Sequence, residues 1–339
     1  MVRDGAGSAS PVSKEQPSAA RSFLAEWVST GSRRVTAVPI ATALVAGVLL
    51  AVFEADFYRS QNLHVLMQQC SVLGIVTLGQ LLVLLVGGID LSVGAVMNAT
   101  LIIIAVMNRH HTQLATSIVL SLCLGVAVGL VNGLLVSFRD VPPFAATLGM
   151  LACIQGAILV YTKGVPAGNI PKQLRPVALD GVGIVPYSLI ICLAIAAVLW
   201  FVLRRGTYGR KIYAVGRSPE VARRVAISTT NVRVSAYVMC SLFAAMAGII
   251  LSAYVGYVDP TIGGNYNLQS IAAAVVGGVA FTGGEGSVIG ALTGVFFLLA
   301  LLNVVTLSSL NPFMKLIIQG AVMLVAVSVF QFLKKSQAN

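Results

Sequence analysis

Charge is scarce in this chain. Only 10% of its 339 residues are Asp, Glu, Lys or Arg, against roughly 25% in an ordinary soluble domain. Eleven acids and three histidines leave little from which to assemble a metal centre or an acid–base pair. His110 and His111 are adjacent in one short loop, and two neighbours cannot close a site alone, so no metal ligand is assigned. The five cysteines (70, 123, 153, 192 and 240) fall one to an apolar segment without a C-x-x-C pair, which points to small-residue packing rather than redox or metal chemistry. No G-x-x-x-x-G-K-[ST] phosphate loop occurs, and the glycine-rich "FTGGEGSVIG" has no lysine after it, so the chain is not expected to hydrolyse ATP by itself. The net charge of +11 comes without a nucleic-acid recognition module, and its basic residues are dispersed between apolar runs, which argues against a nucleic-acid partner.

What is abundant is apolar surface and glycine: 57% hydrophobic residues and 33 Gly place the chain in a bilayer. Apolar runs near 36–53, 62–86, 93–107, 113–137, 143–161, 186–203, 234–255, 269–281, 287–305 and 313–333 approach the length of about 20 residues that crosses a hydrocarbon core. The expected architecture is an all-α integral membrane protein of about ten transmembrane helices, with short re-entrant or broken pieces and both termini cytoplasmic. A polar N-terminal tail, 1–35, is expected to be disordered. The transmembrane domain follows over 36–334 and a short cytoplasmic tail over 335–339. The first apolar run is too long for a signal-peptide core and reads as an anchor. This topology puts 16 of the 22 Lys and Arg on the cytoplasmic side, as the positive-inside rule expects.

Two segments carry glycine at every fourth residue: Gly125, Gly129 and Gly133, then Gly286, Gly290 and Gly294. That spacing makes a face on which another helix can approach closely, within one bundle or between subunits. The polar residues in the spans are nearly all neutral. Gln80, Asn98, Asn132, Gln155 and Asn303 are candidates for a wet path suited to an uncharged, hydroxyl-rich solute, because amides both donate and accept. The alternative is helix-to-helix adhesion.

Asp90 is the exception. In "LLVLLVGGIDLSVGAVMNAT", Gly87 and Gly88 can break the helix at its cytoplasmic end, and Asp90 with Ser92 can cap the next one. Direct binding of substrate or a proton is the other reading. Gly283, Gly284 and Glu285 repeat the order, so Glu285 is expected to cap the ninth span. The largest cytoplasmic loop, 204–233, contains "SPEVARRVA", which reads as a short helix with Ser218 as N-cap, Pro219 at the first position and Glu220 in the first turn.

"GGIDLSVGAVM", "FAATLGML", "TYGRKIYAVGRSPEVAR" and "AVVGGVAFTGGEGSVIGALTG", in that order between about residues 62 and 330, resemble the permease subunit of bacterial ABC importers for ribose, xylose, galactose and related sugars. The resemblance implies a sugar or similar neutral polyol as substrate and a location in the bacterial inner membrane. It also implies a second permease copy or homologue, a cytoplasmic ABC ATPase that carries ATP and Mg, and a periplasmic solute-binding protein. No cofactor is implied on this chain. The family's coupling segment falls on 208–227, which assigns Tyr208, Gly209, Arg210, Gly216, Arg217, Ser218, Glu220, Ala222 and Arg223 to ATPase contact. This chain departs from many relatives there, at Ser218, at Val221 with Ala222, and at Val225, Ala226 and Ile227, with an extra Arg224. The external segments 163–188 and 256–268 would then face the binding protein. Branched-chain amino-acid permeases are a related alternative, and an ion-coupled secondary transporter using Asp90 is the rival class.

Overall fold

A computed structural model describes residues 55–110, 112–165, 169–256, 258–259 and 261–307, with isolated helical positions between 314 and 324. The tails 1–35 and 335–339, the expected first span and most of the expected last one lie outside the described residues.

The described chain is helical. Its elements are α1 (Ser60–Leu85), α2 (Val93–Arg109), α3 (Leu114–Phe138), α4 (Pro143–Thr162), α5 (Arg175–Leu179), α6 (Tyr187–Arg205), α7 (Thr207–Arg217), α8 (Pro219–Arg224), α9 (Thr229–Val255), α10 (Tyr266–Val276) and α11 (Val288–Leu307). A small hairpin of β1 (Gly181–Val182) and β2 (Val185–Pro186) interrupts the segment before α6. Among the described residues, six helices are long and apolar enough to cross a membrane: α1, α3, α4, α6, α9 and α11. The expected spans at 93–107 and 269–281 are shorter pieces, α2 and α10. The second stops at Val276, because Gly277 and Gly278 open a turn that runs to the start of α11, with Gly278 at φ 86°.

Local sequence sets most helix ends. Pro143 occupies the first turn of α4, where its missing N–H costs nothing. The Ser228 Oγ accepts from the Asn231 N–H at 3.4 Å to cap α9, and Gly256 closes that helix in the left-handed region at φ 74°.

Helix α9 is the axis, in contact with α1, α2 and α3. Gly125, Gly129 and Gly133 of α3 lie on its backbone: a methyl group added to them would sit 2.7 Å from the Ser241 carbonyl oxygen, 2.6 Å from Val238 Cα and 2.9 Å from Val234 Cα. Gly290 and Gly294 of α11 lie in the same way on Gly277 and Ala273. Both glycine faces therefore serve packing within one chain. Gly286 is not part of the second face, because it precedes α11 in the turn at φ 150°. The outer sides of α4 and α6 carry exposed apolar residues such as Val160 and Phe201, the surface a bilayer requires.

Two spans are discontinuous. After α1, Gly87 turns the chain at φ 76° and residues 86–92 double back into the bundle before α2 starts. After α9, Gly256 ends the helix, a 3₁₀ turn follows at Ile262–Asn265, and α10 continues from there. The second break meets the first turns of α2. Gly94 N donates to Asn267 Oδ1 at 2.6 Å, and Gly263 N donates to Asn98 Oδ1 at 2.6 Å.

Candidate functional site

Around the first break the polar groups form one buried network. The Asp90 carboxylate is fully buried and its Oδ1 accepts from the Ser92 N–H at 2.8 Å and from Ser92 Oγ at 2.6 Å. Ser241 Oγ of α9 lies 3.5 Å from Oδ2. Asn132 Nδ2 of α3 donates to Ser92 Oγ at 3.0 Å. The Gln80 amide spans the Asp90 backbone, donating to its carbonyl at 3.1 Å and accepting from its N–H at 3.2 Å. Asp90 thus holds the residue that precedes α2 and ties the break to α1, α3 and α9. Its depth differs from expectation. Gln80 lies five residues before the end of α1, so Asp90 stands about 8 Å inside that end by helix rise rather than at it.

Directly below, three stretches of backbone converge on glycines. Gly284 N donates to the Leu85 carbonyl at 2.9 Å. A side chain on Gly216, at the end of α7, would overlap the Leu85 carbonyl and reach the Gly284 nitrogen at 2.5 Å. One on Gly283 would lie 2.9 Å from both the Gly216 carbonyl oxygen and the Gly87 nitrogen. Gly88 packs under the Tyr237 ring, whose ζ carbon would be 3.2 Å from an added methyl group. The Tyr213 hydroxyl of α7 donates to the Gly286 carbonyl at 2.8 Å, and burial pushes its phenol up to about 12. The end of α1, the end of α7 and the second glycine pair are therefore one junction. Glu285 does not cap α11; its side chain is exposed, and Ser287 Oγ accepts from Gly290 N at 3.0 Å in its place. Serine in that position has the reach to bond the third residue on, whereas Glu285 is two residues too early.

Hanging from this junction, α7 is strongly two-faced. Gly209, Ile212 and Val215 are buried, while Arg210, Lys211 and Arg217 are exposed. Tyr208 points inward, its hydroxyl 3.2 Å from Ser235 Oγ. Ser218 caps α8 as its sequence implies, accepting from the Val221 N–H at 3.3 Å. Ala222 is the buried foot of α8. Glu220 and Arg224 are exposed, and Arg223 turns back to donate from Nε to Thr229 Oγ1 at 3.2 Å. Val221 and Val225, which the sequence marked as departures within the coupling segment but did not assign to ATPase contact, are 59% and 63% exposed beside those arginines. An apolar pair outside a short charged helix is a signal that a search for charge alone passes over.

The five amides assigned to a path are not brought together. Gln80 and Asn132 belong to the Asp90 network, and Asn98 holds Gly263. Asn303 forms a reciprocal pair with Asn62, 3.0 Å in each direction, which fastens α11 to α1. Gln155 is half-buried on α4. Within the segment 256–268, Gly263 and Asn267 are buried against α2, while Thr261, Gly264, Asn265 and Leu268 are exposed. Asn267, its most engaged residue, was passed over because "GGNYN" reads as an ordinary polar loop. Among the described residues no group of three or more His, Cys, Asp or Glu could hold a metal.

Comparison with known proteins follows this architecture. Residues 62–327 match the family described as branched-chain amino acid transport system / permease component. The fructose import permease protein of Rhizobium meliloti is 30% identical over 325 residues, covering 93% of this chain and 89% of that one. The ribose import permease protein of Bacillus subtilis is 32% identical over 292 residues, 85% of this chain and 90% of that one. The autoinducer 2 import system permease protein of Photorhabdus luminescens is 31% identical over 300 residues, 88% and 89% respectively. No solved structure matches. With the match running through both breaks and the glycine junction between them, the chain belongs to this family of multi-pass ABC importer permeases and is a transport subunit, not an enzyme.

Proposed function

We propose that this chain is the membrane-spanning subunit through which a separate ATPase drives import of a sugar or similar neutral polyol across the bacterial inner membrane. The observation that carries the reading is the glycine junction. The basic α7–α8 segment is linked by backbone to the first break, at Leu85–Gly87, and to the turn before α11, at Gly283–Gly286. A push on α7 is therefore delivered to the first break and to the turn that joins α10 to α11.

In this account a cytoplasmic ABC ATPase, carrying ATP and Mg, seats on α7 and α8, with Arg210, Arg217 and Glu220 around the apolar Val221 and Val225. A periplasmic solute-binding protein docks on the outer segments near 163–188, where Lys163, Lys172 and Arg175 supply charge. A second permease copy completes the pathway. About ten spans, with both termini cytoplasmic, give the sidedness that sets α7–α8 toward the ATPase. The relatives named for fructose and ribose favour a sugar. The relative named for autoinducer 2 makes that solute the second reading.

The test is purification of the tagged chain from its native membrane in mild detergent. An ABC ATPase should accompany it, and hydrolysis should rise when a binding protein loaded with D-ribose or D-fructose is added. A solitary chain that moves D-ribose into liposomes without ATP would overturn the proposal in favour of a secondary transporter.

A further inference from the structure

The second break places polar atoms at a depth where lipid cannot receive them. The turn at Ile262–Asn265 is fixed by Gly94 and Asn98, in the first two turns of α2. Further along α2, Met97 and Thr100 lie against Gly248 of α9: a methyl group there would be 2.9 Å from Thr100 Cβ. Gly248 is seven residues below the end of α9, and Gly94 lies about one turn lower still. The turn is therefore about 15 Å below the end of α9, a helix about 40 Å long. At that depth Thr261, Gly264 and Asn265 are exposed, and a methyl group on Gly264 would meet nothing within 4 Å. Non-helical backbone at membrane depth is tolerated only when it is buried in protein or faces a watery cavity, because hydrocarbon leaves its N–H and C=O groups unpaired.

We infer that the exposed side of the 261–265 turn lines the solute path at mid-depth, and that Asn265 meets the hydroxyl groups of the passing solute. This rests on the importer reading above. The chemistry suits a polyol: an amide offers both donor and acceptor, while Leu268, 53% exposed on the next turn, offers an apolar surface to the C–H face of a sugar. The more conspicuous amides have no such access. Gln80 and Asn132 are 0% exposed and Asn98 is 1% exposed, each engaged in holding two segments together. Gly263 and Gly264 divide the labour. The first is pressed against Gly94 and Asn98, and the second leaves open the space that a solute needs.

The experiment uses the complete complex of permease, ATPase and binding protein in liposomes, with the five native cysteines replaced by alanine. Gly264→Cys and Asn265→Cys are each treated during ATP turnover with a charged, membrane-impermeant methanethiosulfonate reagent. Val160→Cys, on the outer side of α4, is the lipid-facing control. Both turn positions should react at least tenfold faster than Val160→Cys, and D-ribose uptake should fall as they are modified. Two positions guard against one variant failing to fold, and Gly264 has room for the new side chain. Reaction no faster than the control overturns the inference, as does a disulfide between two copies at position 265 without labelling, which would mean that a second chain covers the turn. Uptake in the same vesicles separates the two ideas: ATP-driven uptake with unreactive turn cysteines overturns the lining alone, while reactive cysteines without ATP-driven uptake overturn the importer and leave the lining.

Discussion

The two breaks in the membrane helices are opposites in how they are held. The first, at 86–92, is buried except at Gly87 and, in part, Ile89: hydroxyls and amides from α1, α3 and α9 surround Asp90, and the glycine junction packs below it. The second, whose described turn is 261–265, is anchored along one edge by two Asn–Gly hydrogen bonds and is exposed along the other. In the proposed account the first transmits a movement and the second is touched by the solute. The difference teaches that a charge inside a membrane protein need not mark the substrate. Here the carboxylate organises a buried hydrogen-bond network, and in the proposed reading the surface that meets the solute is neutral.

The comparison can be broken most severely at the junction. Gly216→Val would drive a branched side chain into the Leu85 carbonyl and the Gly284 backbone. D-ribose uptake by the reconstituted complex should fall at least 100-fold. The companion Gly149→Val, at an exposed position on α4 where an added Cβ meets nothing within 4 Å, should leave uptake near the parent level. Equal losses from the two would deny the junction any special part.

A second contrast sharpens the account of the second break. Gly263→Ala places a methyl group 2.5 Å from the Gly94 carbonyl oxygen and 2.7 Å from Asn98 Oδ1, and should destabilise the protein by about 1–3 kcal/mol through overpacking. Gly264→Ala, one residue on, should change stability by less than about 0.5 kcal/mol, as surface substitutions usually do. Thermal unfolding in detergent reads both, and reversed ranks would contradict the division between anchored and open edges.

Asp90 discriminates next. Asp90→Ala strands the Ser92 N–H and the hydroxyls around it, at a cost of about 1–3 kcal/mol for buried polar groups left unpaired. Asp90→Asn keeps an oxygen for Ser92 and should be milder, with ATP-driven uptake retained and its pH profile unchanged. Uptake that loses its pH dependence in Asp90→Asn would instead make the residue a proton site. The smallest effect belongs to Ser218→Ala, which removes the α8 cap and should cost about 1 kcal/mol of local helix stability, visible as faster amide exchange at Val221 and Ala222.

Much of this could be read from sequence because the signals were local. The glycine face of α3, Gly290 and Gly294 of α11, the helix break at Gly87, the Ser218 cap and six of the ten expected spans depend on spacing and on residue chemistry within one segment. What escaped depends on contacts between distant segments. Nothing near Asn267 announces that its amide will hold Gly94, 173 residues earlier. Composition alone cannot tell a polar loop outside the membrane from one that dips into it. Asp90 was read as a terminal cap because a sequence shows that Gly87 and Gly88 break a helix, not that the chain then climbs back beside Gln80. The amides were harder still. Asn98, Asn132 and Asn303 look alike in an apolar run, and only their partners reveal them as fasteners.

The most direct measurement for the whole account is cross-linking at α8. With a single cysteine at the exposed position Val221, next to Glu220 and two residues before Arg223, the native complex is treated with a short bifunctional thiol reagent, and Val160→Cys on α4 serves as the control. The account predicts that Val221→Cys is captured by an ABC ATPase subunit, in a yield that changes when ATP is added, while Val160→Cys captures none. An intact, transport-active preparation in which Val221→Cys captures no ATPase would contradict it.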